Sequence, residues 1–262
     1  MKKKLKKLFR PNSELSVEQV IRRKTFISFF FFIVFIIAGI FTWLWLIHQP
    51  LDGGIQGGIQ QPLRDVLNTN EKIFRKSFSP DHLVKTYPAS AAAKSVRVNG
   101  NIGMDADFDP AQWKLQVIKN NGDTIFFTLD DIKRLPKTEI IYNFKCIEGW
   151  SQVTWWGGVK FSDFLSYYHL DKETSLGYVG LNTPDGEYYV GIDMPSALHR
   201  QTLLCYEMNR QPLPMNQGFP LRLIIPVKYG IKSIKRIGSI FFSNERPPDY
   251  WAERGYDYYS GL

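Results

Sequence analysis

Cysteine and histidine are scarce in this chain of 262 residues, which has two cysteines and four histidines. Cys146 and Cys205 allow at most one disulfide, so a disulfide-stabilised scaffold is excluded. No second cysteine or histidine lies near Cys146 at the spacing of a zinc site, and a zinc protein is therefore not expected. Apolar residues make up 44% of the sequence and aromatic residues 15%, which suffices for a sizeable core and excludes a disordered or fibrous chain.

An excess of positive charge is absent from most of the chain. The formal net charge is +8, and residues 1–24 account for +7 of it with nine basic and two acidic side chains. The rest of the chain carries 24 basic and 23 acidic groups. Because this body is nearly neutral, the sequence predicts a basic tail and no nucleic-acid partner.

Ionisable side chains are also absent from Thr25 to Ile47, a run of 23 mainly apolar residues. A helix of this length rises about 1.5 Å per residue and crosses a hydrocarbon core of roughly 30 Å. Trp43 and Trp45 stand near its end, where indole rings favour the headgroup region. We predict a transmembrane helix over residues 25–47; the alternative is a buried helix of a soluble core.

The two flanks of the apolar run differ in charge. Residues 1–24 are strongly basic, whereas the stretch from His48 to Gln61 has one ionised group, Asp52. The positive flank stays in the cytoplasm, so the sequence predicts a single-pass protein of the cytoplasmic membrane whose later residues are periplasmic. No small-residue cleavage site follows the run, which favours an uncleaved anchor. The pair Arg22 and Arg23 indicates either twin-arginine export, a route for folded proteins, or two more positive-inside charges.

The remaining sequence predicts a tether and one α+β domain. Residues 48–84 combine a glycine-rich stretch with an apolar stripe at helical spacing, and are predicted as a tether and amphipathic helix. Residues 85–262 are predicted as one mostly β domain with mixed sheets. Short helices are predicted over Asp130–Leu135 and Phe161–Tyr168. Strands are predicted over Trp113–Ile118, Thr124–Leu129, Glu139–Phe144, Tyr178–Leu181, Glu187–Gly191, Leu221–Val227 and Ile231–Phe242.

One candidate for chemistry is Cys146, which ends a predicted strand beside Lys145 and shortly before Gly149. A neighbouring cation lowers the pKa of a thiol and favours the thiolate, which is the nucleophilic and metal-binding form. The alternative is a buried structural thiol. The second cysteine, Cys205, stands among apolar residues and is predicted to be buried.

A second candidate is the stretch from Gly218 to Lys235, where Arg222 interrupts an apolar run and lysines follow at 228, 232 and 235. Glycine lets backbone amides approach a phosphate closely, and cations neutralise its oxygens. The stretch therefore predicts either a phosphate-binding site or a strand with solvated lysines.

Together these stretches resemble the molybdenum-cofactor-binding domain of the sulfite oxidase superfamily, from about residue 85 to 245. The motifs that carry the resemblance follow one another in order as Lys145–Ser151, Trp156–Val159, Leu204–Asn209, Gln211–Pro214, Gly218–Arg222 and Tyr229–Lys235. Their number and order make the resemblance specific. It implies a sulfite-oxidase-type molybdopterin domain as the fold of residues 85–262.

The resemblance also implies a cofactor and its contacts. Cys146 would be the catalytic thiolate ligand of molybdenum, which a molybdopterin holds. Thr183 is similar to a pterin-contacting threonine of the family, and Gln217 stands where relatives have asparagine or histidine. The pterin and its phosphate are expected to bind Arg222, Ser233, Ile234 and Lys235. Candidates for the pocket wall are Trp150, Trp155, Trp156 and Tyr229, and the N-terminal contact is expected near Tyr87–Ser95.

The residues after Cys146 separate this chain from sulfite oxidases, which typically have Ala-Gly-Asn-Arg-Arg there. Here Ile147, Glu148, Gly149 and Trp150 follow, and an acid beside the metal disfavours sulfite. This pattern resembles the exported methionine sulfoxide reductases. It implies a membrane-anchored oxidoreductase that takes oxygen from a sulfoxide-type substrate, with electrons from a membrane haem protein or a quinol-linked subunit. The alternatives are a sulfite dehydrogenase and a cofactor-free binding module.

Overall fold

The computed structural model describes residues 15–53, 58–104 and 107–262. The chain divides into two compact units. The first comprises the described residues up to Pro50 together with Gln60–Pro62, and the second comprises the described residues of Leu51–Ile59 and Leu63–Leu262. Most of the predicted basic tail, residues 1–14, lies outside the described residues.

The first unit is dominated by helix α1, Val17–Ile47. It begins earlier than the predicted Thr25, because Ser16 caps it. The Ser16 hydroxyl accepts a hydrogen bond from the Gln19 amide, and the Gln19 side chain accepts one from the Ser16 amide, at 3.3 and 3.2 Å. Among the described residues, α1 is the one helix long and apolar enough to cross a membrane, with a hydropathy of 2.6 over its most apolar window.

The second unit contains four further helices and ten strands. Helix α2 spans Gln61–Ser77, of which the residues from Leu63 belong to this unit. The short helices are α3 Leu129–Lys133, α4 Phe161–Tyr167 and α5 Met194–Ala197. The strands are β1 Leu115–Ile118, β2 Thr124–Phe127, β3 Thr138–Lys145, β4 Ser151–Lys160, β5 Tyr178–Asn182, β6 Tyr189–Asp193, β7 Leu203–Met208, β8 Gln211–Pro212, β9 Arg222–Ile224 and β10 Ser239–Ser243.

The strands form two five-stranded sheets. One has the order β2-β1-β10-β5-β6, and the other has the order β3-β4-β7-β8 with β9 also paired to β7. The pair β1/β10 is parallel, whereas the other pairs are antiparallel. The described residues therefore confirm the predicted α+β class with mixed sheets.

Strand β7 of the second sheet is buried on both faces. Leu204 and Tyr206 belong to the larger apolar cluster, which also includes residues of the first sheet and of α4. Leu203 and Cys205 belong to a smaller cluster that includes Trp156 of β4. Successive side chains of a strand point to opposite faces, so β7 contributes to both clusters. The predicted burial of Cys205 is confirmed, since the residue is fully buried.

Several predicted elements are confirmed and one is wrong. The β5–β6 hairpin, strand β3 and helix α4 agree with the predictions to within a few residues. The strand predicted over Ile231–Phe242 begins only at Ser239, because a 3₁₀ turn over Gly230–Lys232 and a left-handed residue, Arg236, interrupt it. Strands β4 and β7 were not predicted, since Trp156–Val159 and Leu203–Tyr206 are buried without interruption and lack an alternating pattern.

Two of the three lysines after Arg222 are buried in ion pairs. Lys228 lies 2.9 Å from the Asp193 carboxylate, and Lys232 lies 2.5 Å from that of Asp249. Asp249 also accepts a hydrogen bond from the Gly191 amide. Neither a solvated strand nor a phosphate site describes these two lysines, because both ammonium groups are buried and each lies beside a carboxylate inside the domain.

The Lys232–Asp249 pair yields a test of stability. Replacing Asp249→Asn leaves a buried ammonium group without its counter-charge, so the free energy of unfolding should fall by about 3–5 kcal/mol. Urea unfolding of the detergent-solubilised chain measures the loss. The matched control is Asp81→Asn in the exposed Arg200–Asp81 pair, which should change stability little. Equal losses in the two variants would contradict the prediction.

Candidate active site

Cys146 lies at the tip of the β3–β4 hairpin. The paired strands end at Lys145 and Ser151, and the five residues between them form the turn. The Cys146 amide donates to the Trp150 carbonyl at 2.9 Å, and the Gly149 amide donates to the Cys146 carbonyl at 3.1 Å. Gly149 has a φ of 89° and open space where a Cβ would be, so backbone conformation rather than packing favours glycine there. The hairpin therefore holds the thiol at the end of the sheet where β3 and β4 are joined.

The thiol lines a cavity whose empty volume, including the part open to solvent, is about 970 Å³. Residues far apart in sequence surround it. Of the predicted site residues, Cys146, Gln217, Arg222, Ser233 and Lys235 line this one cavity. Its aromatic wall consists of Phe144, Trp150, Trp156, Tyr188, Trp251 and Tyr256. The structure thus brings five of the seven predicted site residues together.

Arg222, the first residue of β9, is a buried cation in the cavity wall. One guanidinium nitrogen donates to the carbonyl and the side-chain oxygen of Gln217, at 3.1 and 3.0 Å, and another donates to the Ser233 carbonyl at 3.1 Å. The guanidinium carbon lies 4.6 Å from the centre of the Trp156 ring. Burial lowers the pKa of Arg222 to about 10, so the side chain is charged at neutral pH.

Gln217 and Lys235 bind the stretch before β1 to the cavity wall. The side-chain amide of Gln217 donates to the carbonyls of Val96 and Arg97, at 3.3 and 3.2 Å. The Lys235 ammonium donates to the carbonyls of Asn99 and Gly100, at 2.7 and 2.9 Å. Burial, and after it the charge of Arg222, lowers the pKa of Lys235 to about 8.

Charged and polar groups surround the Cys146 sulfur. The Asn99 side chain lies 3.7 Å from it, in donor geometry. Burial raises the pKa of the thiol, and the Glu148 carboxylate also raises it, whereas backbone amides and Arg97 act in the opposite direction. The net shift of this pKa is upward, opposite to the lowering expected from the neighbouring Lys145, because burial is its largest cause. The lining has three cations, Arg97, Arg222 and Lys235, against one carboxylate, so it favours an anionic ligand.

Two predicted site residues do not line this cavity. Thr183 lines a separate, more open cavity beside Trp113, and its hydroxyl accepts a hydrogen bond from the Tyr188 amide at 3.1 Å. Tyr188 in turn lines the Cys146 cavity. The Ile234 side chain belongs to the larger apolar cluster. A ligand in the cavity could therefore meet Ile234 only through its backbone.

The sequence missed several lining residues and named others that lie elsewhere. Trp155 and Tyr229 are not among the lining residues, whereas Trp150 and Trp156 are. The N-terminal contribution comes from Val96, Arg97, Asn99, Gly100 and Ile102, just after the expected Tyr87–Ser95. Trp251 and Tyr256 were missed as well. An isolated asparagine or aromatic residue gives no sequence signal of a site.

Comparison with known protein families identifies the class of this protein. Residues 101–251 match the family described as the oxidoreductase molybdopterin binding domain. The chain belongs to this family and is an oxidoreductase. The match confirms the resemblance noted in the sequence, and family membership assigns it a molybdenum-pterin cofactor.

Individual relatives refine the comparison. YedZ1 of Azospira oryzae, a subunit assigned provisionally by its name to the protein-methionine-sulfoxide reductases, is 36% identical over 186 residues, 70% of each chain. The protein-methionine-sulfoxide reductase catalytic subunit MsrP of Campylobacter jejuni is 30% identical over 182 residues, 62% of this chain and 60% of MsrP. The crystal structure of the sulfane dehydrogenase SoxCD from Paracoccus pantotrophus aligns with 64% of this chain and 47% of that one, at 16% identity and a TM-score of 0.48. The family assignment does not depend on this last alignment.

The cavity suits the cofactor of the family in two respects. The Nε atom of Arg222 is buried and has no hydrogen-bond partner among the described residues, so an acceptor on a bound group would satisfy it. The thiol of Cys146 is a soft ligand of the kind that molybdenum accepts. A thiol and an unsatisfied cationic donor in one cavity match a group that contains both a metal and a phosphate.

The environments of the two cysteines predict different reactivities in the cofactor-free chain. Iodoacetamide should alkylate Cys146 more slowly than an exposed thiol at pH 7–8, because its raised pKa leaves less thiolate, and the rate should increase with pH. Cys205 is fully buried with a pKa near 12 and should not react before unfolding. Mass spectrometry of timed reactions measures both, with the urea-unfolded chain as control. Alkylation of Cys205 ahead of Cys146 would contradict this prediction.

Proposed function

We propose that this chain is a membrane-anchored, periplasmic molybdenum oxidoreductase that reduces a sulfoxide-type substrate, with Cys146 as the protein ligand of molybdenum. The observation that carries the proposal is the cavity in which the Cys146 thiol, the buried Arg222 and Lys235 meet. One such cavity offers both a metal ligand and a positively charged wall for a phosphate. The name of the relative MsrP supports methionine sulfoxide as the substrate class.

In this proposal each polar group of the wall has a binding role. Cys146 would bind the metal as thiolate, since a coordinating metal displaces the proton that burial otherwise retains. Arg222 and Lys235 would neutralise the phosphate, and Gln217 and the Ser233 backbone would hold Arg222 in place. Thr183 and Ile234 stay predicted pterin contacts. When bound, the molybdenum cofactor supplies the two-electron redox chemistry.

The aromatic wall supports a sulfoxide of a thioether as substrate. The reduced product is an apolar thioether, and such sulfur atoms make favourable contacts with aromatic rings, worth about 0.3–1.5 kcal/mol each. Trp150 and Trp251 are among the lining rings. Glu148, whose carboxylate accepts a hydrogen bond from the Trp150 indole at 3.1 Å, places negative charge beside the thiol. Next to the thiol, that charge repels a sulfite dianion but not a neutral sulfoxide, while in this proposal Arg222 and Lys235 neutralise the cofactor phosphate.

The reaction requires an external electron donor. A sulfoxide, two electrons and two protons give a thioether and one water, so the S=O bond breaks and its oxygen leaves as water. We propose that a membrane haem protein or a quinol-linked subunit supplies the electrons, because the predicted anchor would keep the domain near such a partner.

Replacing Cys146→Ser tests the metal site. A hydroxyl is a harder and far less acidic ligand, so molybdenum content and sulfoxide reduction with a reduced dye should both fall by at least about tenfold. The matched control is Cys205→Ser, whose hydroxyl can replace the thiol in its hydrogen bonds to the Gly157 and Glu207 carbonyls. The Cys205→Ser variant should keep its molybdenum content and its sulfoxide reduction. Metal analysis and pterin fluorescence measure the loading.

The same preparation separates the alternatives. A wild-type chain that oxidises sulfite and does not reduce sulfoxides would be a sulfite dehydrogenase. A chain matured in the cytoplasm without molybdenum or pterin would favour the cofactor-free binding module. Full activity of the Cys146→Ser variant would contradict the assignment of the metal ligand.

We further propose that the chain consists of a cytoplasmic tail, residues 1–24, an anchor, residues 25–47, a tether with helix, residues 48–84, and the catalytic domain, residues 85–262. Helix α1, which no described residue buries, supports an anchor. Twin-arginine export would suit a domain that receives its cofactor before transport.

The anchor yields its own test. Phe32→Lys combined with Ile36→Lys places two charges in the middle of α1. Each charge raises the free energy of membrane insertion by about 2.5–3.5 kcal/mol. The double variant should become extractable by carbonate, whereas the control Phe32→Leu should remain in the membrane fraction. Intact mass should include residues 1–47, and external protease should cleave beyond residue 48 in spheroplasts. A shortened mature chain would show instead that α1 is a removed signal sequence.

A further inference from the structure

A turn near the end of the chain forms part of the cavity wall. Trp251 and Tyr256, at its two ends, both line the Cys146 cavity. Their ring centres lie 5.0 Å apart, edge to face, and the Tyr256 amide donates to the Trp251 carbonyl at 3.0 Å. Between them stands one 3₁₀ turn, Ala252–Arg254. We call residues 251–256 the wall turn; its conformation sets where the two rings lie.

One arginine of helix α2 binds this turn from outside the cavity. The Arg64 guanidinium donates to the Ala252 carbonyl at 2.6 Å and to the Tyr256 carbonyl at 2.8 Å. Its Nε atom donates to the Asp52 carboxylate at 2.5 Å. The side chains of Arg64 and Asp52 are 11% and 7% exposed, so the pair is largely shielded from water. Such charge-assisted bonds are about twice as strong as neutral ones.

Packing reinforces these hydrogen bonds. Gly255 has a φ of 93°, and a Cβ on it would lie 2.7 Å from the Ile59 side chain, so the wall turn and the tether are in close contact. On its other side the turn is held by Asp249, which accepts a hydrogen bond from the Ala252 amide at 3.0 Å and pairs with Lys232. The turn is therefore fixed between the domain core and the tether.

The residues that contact the wall turn come from the segment predicted as a tether and helix. A mere spacer would leave Asp52, Ile59 and Arg64 in water. Here Ile59 and Arg64 contact the backbone of the wall turn, and Asp52 binds Arg64. Two side chains of that turn, Trp251 and Tyr256, line the cavity. We propose that Arg64, held by Asp52, is a positioning residue that fixes the wall turn, so that the segment before the domain determines the shape of this part of the cavity. This inference rests on the proposed function, in which the cavity receives the substrate.

The test compares three variants of the full-length enzyme in detergent. Arg64→Gln removes the charge and the guanidinium. Arg64→Lys keeps the charge, but its three N–H groups come from one nitrogen and do not reproduce the planar spacing of the three guanidinium nitrogens. Arg75→Gln is the matched control, because Arg75 lies on the same helix and bonds the Tyr178 hydroxyl and Glu71, away from the cavity. Hydrogen exchange of the peptide that contains residues 251–256 reports on the turn with or without cofactor.

We expect exchange in this peptide to be about tenfold faster in Arg64→Gln, partly restored in Arg64→Lys and unchanged in Arg75→Gln. In the loaded enzyme KM for the sulfoxide should rise about three- to tenfold in Arg64→Gln, with kcat within about twofold and molybdenum content unchanged. Unchanged exchange in Arg64→Gln, or the same KM increase in Arg75→Gln, would overturn the proposal.

Failure of the proposed function gives a different result. A wild-type chain without molybdenum and without sulfoxide reduction would refute that function, and the exchange experiment would still decide whether Arg64 holds the turn. If Arg64→Gln does not fold, Asp52→Asn removes the partner that orients the guanidinium and should speed exchange in the same peptide. Exchange at the wild-type rate in a folded Asp52→Asn variant would contradict a role for the pair.

Discussion

The cavity depends on one buried cation, Arg222. Taking a guanidinium out of water is costly unless its donors are satisfied, and here Gln217 and Ser233 accept its hydrogen bonds while the Trp156 ring covers its face. These three partners come from three different segments of the chain. Because the loss of any one partner would leave a buried donor or the face of the guanidinium without its contact, Arg222 holds these three segments together in the wall of the Cys146 cavity. Its remaining Nε donor is the part of this arrangement that a ligand would complete.

Part of the site could be predicted because its signals are local. Cys146 follows a strand and precedes a glycine, and Arg222 interrupts an apolar run, so both stand out in the sequence. The wall turn and Asn99 could not be predicted in this way, since they reach the cavity only through long-range packing. The burial of the lysines at 228 and 232 could not be predicted from the local sequence either. Their acidic partners stand elsewhere in the chain, and no local pattern distinguishes a buried ion pair from a phosphate site.

The fold shows a related distinction between strands. The β5–β6 hairpin and β3 were predictable from turn residues and from patterned apolar residues. Strands β4 and β7 contact apolar residues on both faces, and such strands carry no alternation that separates them from a buried helix. The resemblance to the sulfite oxidase superfamily therefore supplied what periodicity alone could not, namely the order of the segments around the cavity.

The double burial of β7 has a consequence for sequence change. Leu204 and Tyr206 face one apolar cluster, and Leu203 and Cys205 face the other. Inserting or deleting a single residue within this strand would rotate every later side chain to the wrong cluster. The same shift would displace the pairing of Cys205 with Arg222 on β9. We therefore expect length variation among homologues to be confined to the loops on either side of β7, while its side chains vary only in size.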